Sequence, residues 1–181
     1  PCVKMPKKSP ARCDGHIGAS TGVLAILMRT ALCCLFLAAS ALAEIRVSTD
    51  FGGGNAEVVS LDQNTKTLRI MPELHEGRGW PCWWYFRLDG LTAGETITLE
   101  VQAQTKPFRE KQVLASAWCQ PKHAWLSSDG ETWSPSDAGT LSKEKVMSYR
   151  LKPSTESLRV AWGPPFVPTD AEKLLTEIAA R

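Results

Sequence analysis

From residue 45 to residue 162, apolar and polar residues alternate with a period of two. Ile45, Val47 and Phe51 are spaced by Arg46, Ser48 and Asp50, and Leu68 and Ile70 flank Arg69. The cleanest run sets Ile97, Leu99, Val101 and Ala103 against Thr96, Thr98, Glu100, Gln102 and Gln104. Met147, Tyr149 and Leu151 alternate with Ser148, Arg150 and Lys152, and Leu158, Val160 and Trp162 alternate with Ser157, Arg159 and Ala161. Side chains change face at every strand residue, so each run predicts a strand with one buried and one wetted face. Turn-forming clusters separate the runs: Gly52 to Asn55, Asp62 to Asn64, Asp89-Gly90, Asp129-Gly130 and Pro153-Ser154. Many short strands at this spacing predict an all-β fold, an antiparallel β-sandwich.

The period changes near the C-terminus. Pro164, Pro165 and Pro168 interrupt the strand pattern, and Thr169 to Glu172 reads T-x-x-E, a capping box in which hydroxyl and carboxylate satisfy free N–H groups. Leu174, Leu175 and Ile178 then fall on one helical face. The sandwich is therefore expected to span residues 44–166, followed by a linker helix over 167–181. So short a helix cannot be stable on its own stripe alone, so it needs a partner surface.

The first 43 residues follow another logic. Ala31 to Ala43 is an apolar run behind Arg29, and Ala41-Leu42-Ala43 obeys the small-x-small rule for signal cleavage. The run is shorter than the roughly 20 residues that span a bilayer. Residues 28–43 thus read as a signal peptide, with Glu44 opening the mature chain. Residues 1–27 read as an upstream or spurious extension. The expected location is secreted or periplasmic, with no stable membrane span once the signal is removed. The competing reading, a membrane anchor reaching back through Gly22 to Met28, would put Arg29 in mid-span at a cost of roughly 2.5–3.5 kcal/mol.

Charge and cysteine usage follow from that division. The 181 residues include 21 Lys+Arg and 19 Asp+Glu, a net charge of +2. Lys4, Lys7, Lys8, Arg12 and Arg29 against Asp14 account for the excess, so residues 44–181 are slightly acidic. No basic footprint for nucleic acid remains. Cys82 and Cys119 are the two cysteines beyond the signal. In an oxidising compartment they would form a bridge closing a loop of about 37 residues, worth roughly 3–4 kcal/mol. The alternative is a pair of buried free thiols.

Catalytic chemistry is not legible. His75-Glu76 and His123 build no H-x-x-E or H-E-x-x-H site, and no nucleophile elbow, P-loop or dinucleotide fingerprint occurs. No catalytic, cofactor-binding or metal residue is expected in this chain. Gly52 to Gly54 precede a strand pattern, so a hairpin or bulge is expected there and not a phosphate cradle. Ser127 to Trp133 resembles the Asp-box of sialidase-type propellers but occurs once, so a plain Asp-Gly hairpin capped by Trp133 is favoured. All seven tryptophans lie beyond residue 43: Trp80, Trp83, Trp84, Trp118, Trp125, Trp133 and Trp162. Ordinary core packing accounts for Trp118, Trp125 and Trp162. Trp83 to Phe86 put aromatic rings on both faces of one strand. One face fills the core, and the other is covered by a partner or forms a stacking platform for sugars.

The order of motifs resembles one family. Phe51, Gly54 and Asn55, then Trp83 to Phe86, then Ala161, Pro165 and Phe166 are similar to the N-terminal β-sandwich domain of the cytosolic-carboxypeptidase-like zinc metallocarboxypeptidases. That domain has an F-x-x-G-N start, a W-F-Y-F-like strand and an A-x-x-x-P-Y-T end. Trp84 and Phe166 depart from it, as does Gln104, where an Asn is expected. The resemblance implies a non-catalytic accessory domain whose partner is its own catalytic domain, absent from these residues. There a bound zinc would activate water to hydrolyse C-terminal residues of a peptide or protein substrate. Trp162, Pro165, Phe166, Leu174, Leu175 and Ile178 become the expected interdomain contacts. The alternative is a freestanding secreted module that binds carbohydrate through exposed tryptophans.

Overall fold

The computed structural model describes residues 44–75 and 79–181. The expected signal peptide and upstream segment, and Glu76 of the His75-Glu76 pair, lie outside them. Ten strands are described: β1 (Arg46–Ser48), β2 (Glu57–Asp62), β3 (Thr67–Met71), β4 (Tyr85–Asp89), β5 (Ile97–Val101), β6 (Trp125–Ser127), β7 (Ser134–Pro135), β8 (Thr140–Leu141), β9 (Met147–Leu151) and β10 (Ser157–Ala161). A 3-10 turn, Ser116–Trp118, precedes β6, and helix α1 (Pro168–Ala179) ends the chain. One sheet has the order β1-β4-β10-β6-β7 and the other β2-β3-β5-β9-β8. The all-β sandwich with one short helix is as expected. One pairing differs: β3 and β5 run parallel, Leu68 opposite Leu99 and Ile70 opposite Val101, so the second sheet is mixed. Parallel neighbours need a crossover, and β4, in the opposite sheet, lies within that crossover.

The alternation does what it predicts wherever strands pair on both sides. Leu68, Ile70, Leu99, Val101, Phe86, Leu88, Tyr149, Leu151 and Val160 are fully buried between the sheets. At the ends of strands it fails. Ala161, expected on the wetted face, is fully buried beside Val160, and Trp162 turns outward. Ala161 is still inside β10 and is flanked on its own face by its cross-strand partners Tyr85 and Trp125, whereas Trp162 lies beyond the strand end. Gln104, expected on a polar face, is 1% exposed. Its Nε2 donates to Pro72 O (3.1 Å) and Glu57 Oε2 (3.3 Å), and its Oε1 accepts from Thr105 and Lys106 N–H. A buried amide is tolerated because it ties down three backbone groups that leave their ladders there.

Helix α1 starts two residues earlier than the T-x-x-E pattern suggests, with Val167 and not Thr169 as its N-cap. Pro168 occupies the first helical position, where its missing N–H costs nothing. Asp170, not Glu172, closes the N-terminus, its Oδ2 accepting from Val167 N–H at 2.9 Å. Thr169 and Glu172 are thus inside the helix, and Glu172 O accepts from the Thr176 hydroxyl instead.

Candidate functional site

Trp84 and Phe86 point into the core from β4 and its approach, both fully buried. Trp84 Nε1 donates to Cys119 O at 2.8 Å, giving the one polar atom of the ring its partner. The opposite face of the strand is covered by this chain itself. Phe51 meets the Tyr85 ring edge-on at 4.8 Å and Trp133 meets it at 5.6 Å. Trp83 Nε1 donates to Gly53 O at 3.1 Å. The second aromatic layer therefore needs no partner to close it.

The segment from Phe51 to Asn55 is built for this cover. Asn55 exchanges two backbone hydrogen bonds with Tyr85, both 2.8 Å, and its Oδ1 accepts from Glu73 N–H. Gly54 lies so close to the Thr49 carbonyl that a Cβ would sit 2.1 Å from its oxygen. Gly53 has φ +80°, and a Cβ there would strike Val167 at 2.6 Å. The glycines form a tight turn against the start of α1, but not a hairpin, because β1 and β2 on either side of it lie in different sheets. On the other flank, the Asp129 carboxylate accepts from Ser127 Oγ and from Glu131 and Thr132 N–H, each at 2.8 Å. Those N–H donors hold its carboxyl well below the usual carboxylate range. Asp129-Gly130 is thus a self-satisfied hairpin.

Between these loops and α1 lies an open cleft of about 570 Å³ walled by Phe51, Tyr85, Trp133, Phe166 and Val167. Arg159 crosses it, with its guanidinium 5.3 Å from the Phe51 ring centre and Nη1 donating to Tyr85 Oη at 3.0 Å. Gly130, at φ +82°, makes room for that guanidinium, which would lie 3.0 Å from a Cβ. Asp129, Glu131 and Asp170 line the cleft together with Arg159 and Lys173, so its charge is mixed.

The expected contact residues fall at the exit of the sandwich. Trp162 is 37% exposed, Phe166 68%, and Leu174, Leu175 and Ile178 on α1 all lie open. Pro165 is half-buried in the cleft wall. The helix stripe is unpartnered among the described residues. Core packing was the expectation for Trp118, Trp125 and Trp162, and it holds for none. Trp118 is exposed and Trp125 half-buried; the fully buried indole is Trp84. Trp118 instead stands beside Trp80 at 5.1 Å, Trp80 meets Phe108 at 6.4 Å, and Trp162 Nε1 donates to Trp118 O. Sequence reading missed this cluster because Trp80 and Trp118 sit in loops, where no periodicity assigns a face; Gly79 and Pro81 around Trp80 were the available signal. The Trp80 rings cross at 68–73° and Trp83 crosses Trp162 at 51°, so they do not make the flat row on which sugars stack.

Among the described residues no three His, Cys, Asp or Glu side chains gather where a metal ion could be held. His75 lies on the surface with Nε2 3.4 Å from Asn55 Nδ2, and His123 Nδ1 meets Ser136 O at 2.8 Å. Among the described residues neither imidazole is hydrogen-bonded or ion-paired to a carboxylate or a second imidazole. Cys82 and Cys119 are separate thiols, Cys119 buried and Cys82 half-buried.

Residues 47–162 match the family described as cytosolic carboxypeptidase N-terminal domain. No curated protein matches the sequence. Solved structures share the fold. A metallo-carboxypeptidase from Burkholderia cenocepacia aligns with a TM-score of 0.58 at 19% identity, covering 74% of this chain and 32% of that one. A metallo-carboxypeptidase from Pseudomonas aeruginosa, in complex with (2-guanidinoethylmercapto)succinic acid, aligns at 0.56 and 15% identity, covering 75% and 34%. This chain thus spans about a third of the length of either.

Proposed function

The chain belongs to the cytosolic carboxypeptidase N-terminal domain family, and on that premise we propose that it serves as the non-catalytic accessory domain of an exported zinc metallocarboxypeptidase-like protein. Its partner in this reading is a catalytic domain lying outside these 181 residues. That domain supplies the zinc, the activated water and the general base, and it takes a C-terminal residue from a peptide or protein. The sandwich contributes no reacting group. It packs on the catalytic domain through the surface at its exit, where Trp162, Pro165, Phe166 and the α1 stripe converge.

The observation that carries this reading is the combination of a family match over most of the sandwich with solved metallo-carboxypeptidases of which this chain covers only about a third. An exposed apolar helix stripe directly after the matched region supports it, because such a stripe on a short terminal helix needs burial. The proposed location, outside the cytoplasm, rests on the signal-like segment at residues 28–43.

Coding DNA beyond codon 181 tests the reading. An open frame continuing into an H-x-x-E sequence with a distant His is expected. The protein from that longer frame should bind one zinc and release C-terminal residues in a chelator-sensitive assay. A stop codon directly after Arg181 would remove the partner and defeat the proposal. The carbohydrate-binding alternative gains nothing from the crossed indole rings.

A further inference from the structure

We propose that Cys82 and Cys119 form an oxidation site, a thiol pair that closes an intramolecular disulfide by exchange with a small-molecule disulfide, with Cys82 as the attacking sulfur. The placement rests on what brackets each cysteine. Two residues before Cys82, the Trp80 ring stands 5.1 Å from Trp118, the residue before Cys119. Two residues after Cys82, Trp84 Nε1 donates to the carbonyl of Cys119 itself at 2.8 Å. The chain around Cys82 therefore touches the 118–119 segment on both sides of the sulfur. Each cysteine also sits in a turn and not in a ladder: Cys82 N–H bonds Trp80 O, and Cys119 N–H bonds Ser116 O. Turn backbones can shift to reach disulfide geometry without breaking a strand pairing.

The two thiols differ in a way that sets the order of events. Cys119 is 1% exposed, and its Sγ donates to Ser116 O at 3.2 Å. Burial pushes its pKa up to about 11, and the neighbouring Cys82 thiol adds to that. Cys82 is half-buried and reachable. The thiolate is the nucleophile in exchange, so the accessible sulfur reacts first. With oxidised glutathione, the Cys82 thiolate attacks one glutathione sulfur, the glutathione S–S bond breaks and one glutathione leaves. Cys119 then gives up its proton, attacks the Cys82 sulfur and expels the second glutathione. Two protein thiols are oxidised to one disulfide, one glutathione disulfide is reduced to two thiols, and the two protein protons end on those thiols. The pairing is independent of the proposed carboxypeptidase role.

Treating the full 181-residue chain with oxidised glutathione, followed by non-reducing tryptic mapping, tests the site. Cleavage after Arg78 and Arg87 places Cys82 in peptide 79–87, and cleavage after Lys111 and Lys122 places Cys119 in peptide 112–122. The expected product is these two peptides joined with loss of two hydrogens, distinct from any product of Cys2, Cys13, Cys33 or Cys34. Cys119→Ser should stop at glutathione on Cys82. Cys82→Ser should leave Cys119 unmodified in the folded chain. Alkylation of the folded reduced chain should consume Cys82 about tenfold faster or more than Cys119, with the difference lost in urea. A stable glutathione adduct on wild-type Cys82, two unreacted thiols, or linkage to a different cysteine would overturn the pairing. Equal alkylation rates in the folded chain would overturn the order of attack.

Discussion

The sandwich interior and the exit surface use the same kinds of side chain to opposite ends. Between the sheets, Trp84, Phe86, Leu68, Leu99 and Tyr149 are enclosed on all sides and each polar atom among them is bonded; the Tyr149 hydroxyl donates to Pro121 O at 2.5 Å. At the exit, Trp80, Trp118, Trp162, Phe166, Leu174, Leu175 and Ile178 stand open to solvent. Phe86, Leu68, Leu99 and Tyr149 sit on strands paired on both edges, which fixes both their face and their neighbours, and Trp84 enters the core just ahead of β4. The exit residues belong to turns or to a terminal helix, where the backbone pairs with nothing that would enclose them. An indole is thus no indicator of core by type: Trp84, just ahead of β4, is fully buried, whereas Trp125 inside β6 is only half-buried.

The largest effect should come from truncating one indole in each region. Trp84→Ala removes a fully buried ring and orphans the Cys119 carbonyl, so urea unfolding should show a loss of about 3–5 kcal/mol. Trp118→Ala, whose ring is half exposed, should cost less than about 1 kcal/mol by the same measurement. Equal losses would erase the distinction between interior and exit.

Alkaline pH gives the next test, confined to the interior. Burial raises the Cys119 thiol from an ordinary value of 9.0 to about 11 and raises the Tyr149 hydroxyl as well. Both groups are therefore neutral in the fold at pH values where the unfolded chain has already begun to lose those protons. The Cys119 contribution is complete below about pH 9 and is lost as pH rises through about 11, and that of Tyr149 is lost at higher pH still. Urea midpoints measured from about pH 8 to about pH 10.5 should fall, and they should fall less steeply in Cys119→Ala. A midpoint that rises over this range would contradict the burial of these groups.

The smallest effect is expected on α1. Replacing Leu174, Leu175 and Ile178 singly by Ser should change the stability of this chain by no more than about 0.5 kcal/mol each, because the side chains already face water. In the longer protein proposed above, the same changes should weaken the packing of sandwich on catalytic domain, read as a lower unfolding temperature. A large loss in the 181-residue chain itself would mean that the stripe is already buried on the sandwich.

Much of the fold was legible in the residues. Period-two runs located β3, β5, β9 and β10 with the right inward positions, and the turn clusters separated them. The helix and its length were legible too, although Pro168 and Asp170 set its first turn where Thr169 and Glu172 had suggested it. The motif from Phe51 to Asn55 was visible as a string, but its use was not. Its glycines matter because the Thr49 carbonyl folds back onto Gly54 within the same loop and Val167, far along the chain, comes close to Gly53.

By itself, the sequence determined the strand faces, the all-β class, the terminal helix and the family of the domain. Alternation, turn chemistry and motif order are local, and one chain carries them in full. The tertiary structure alone decided that β3 and β5 run parallel, that Tyr85 is covered by Phe51 and Trp133, and that Trp118 and Trp162 face outward. It also decided that Gln104 is a buried tie between loops. Each of these depends on which segments meet across the sheets, a property of long-range contacts that no local period encodes.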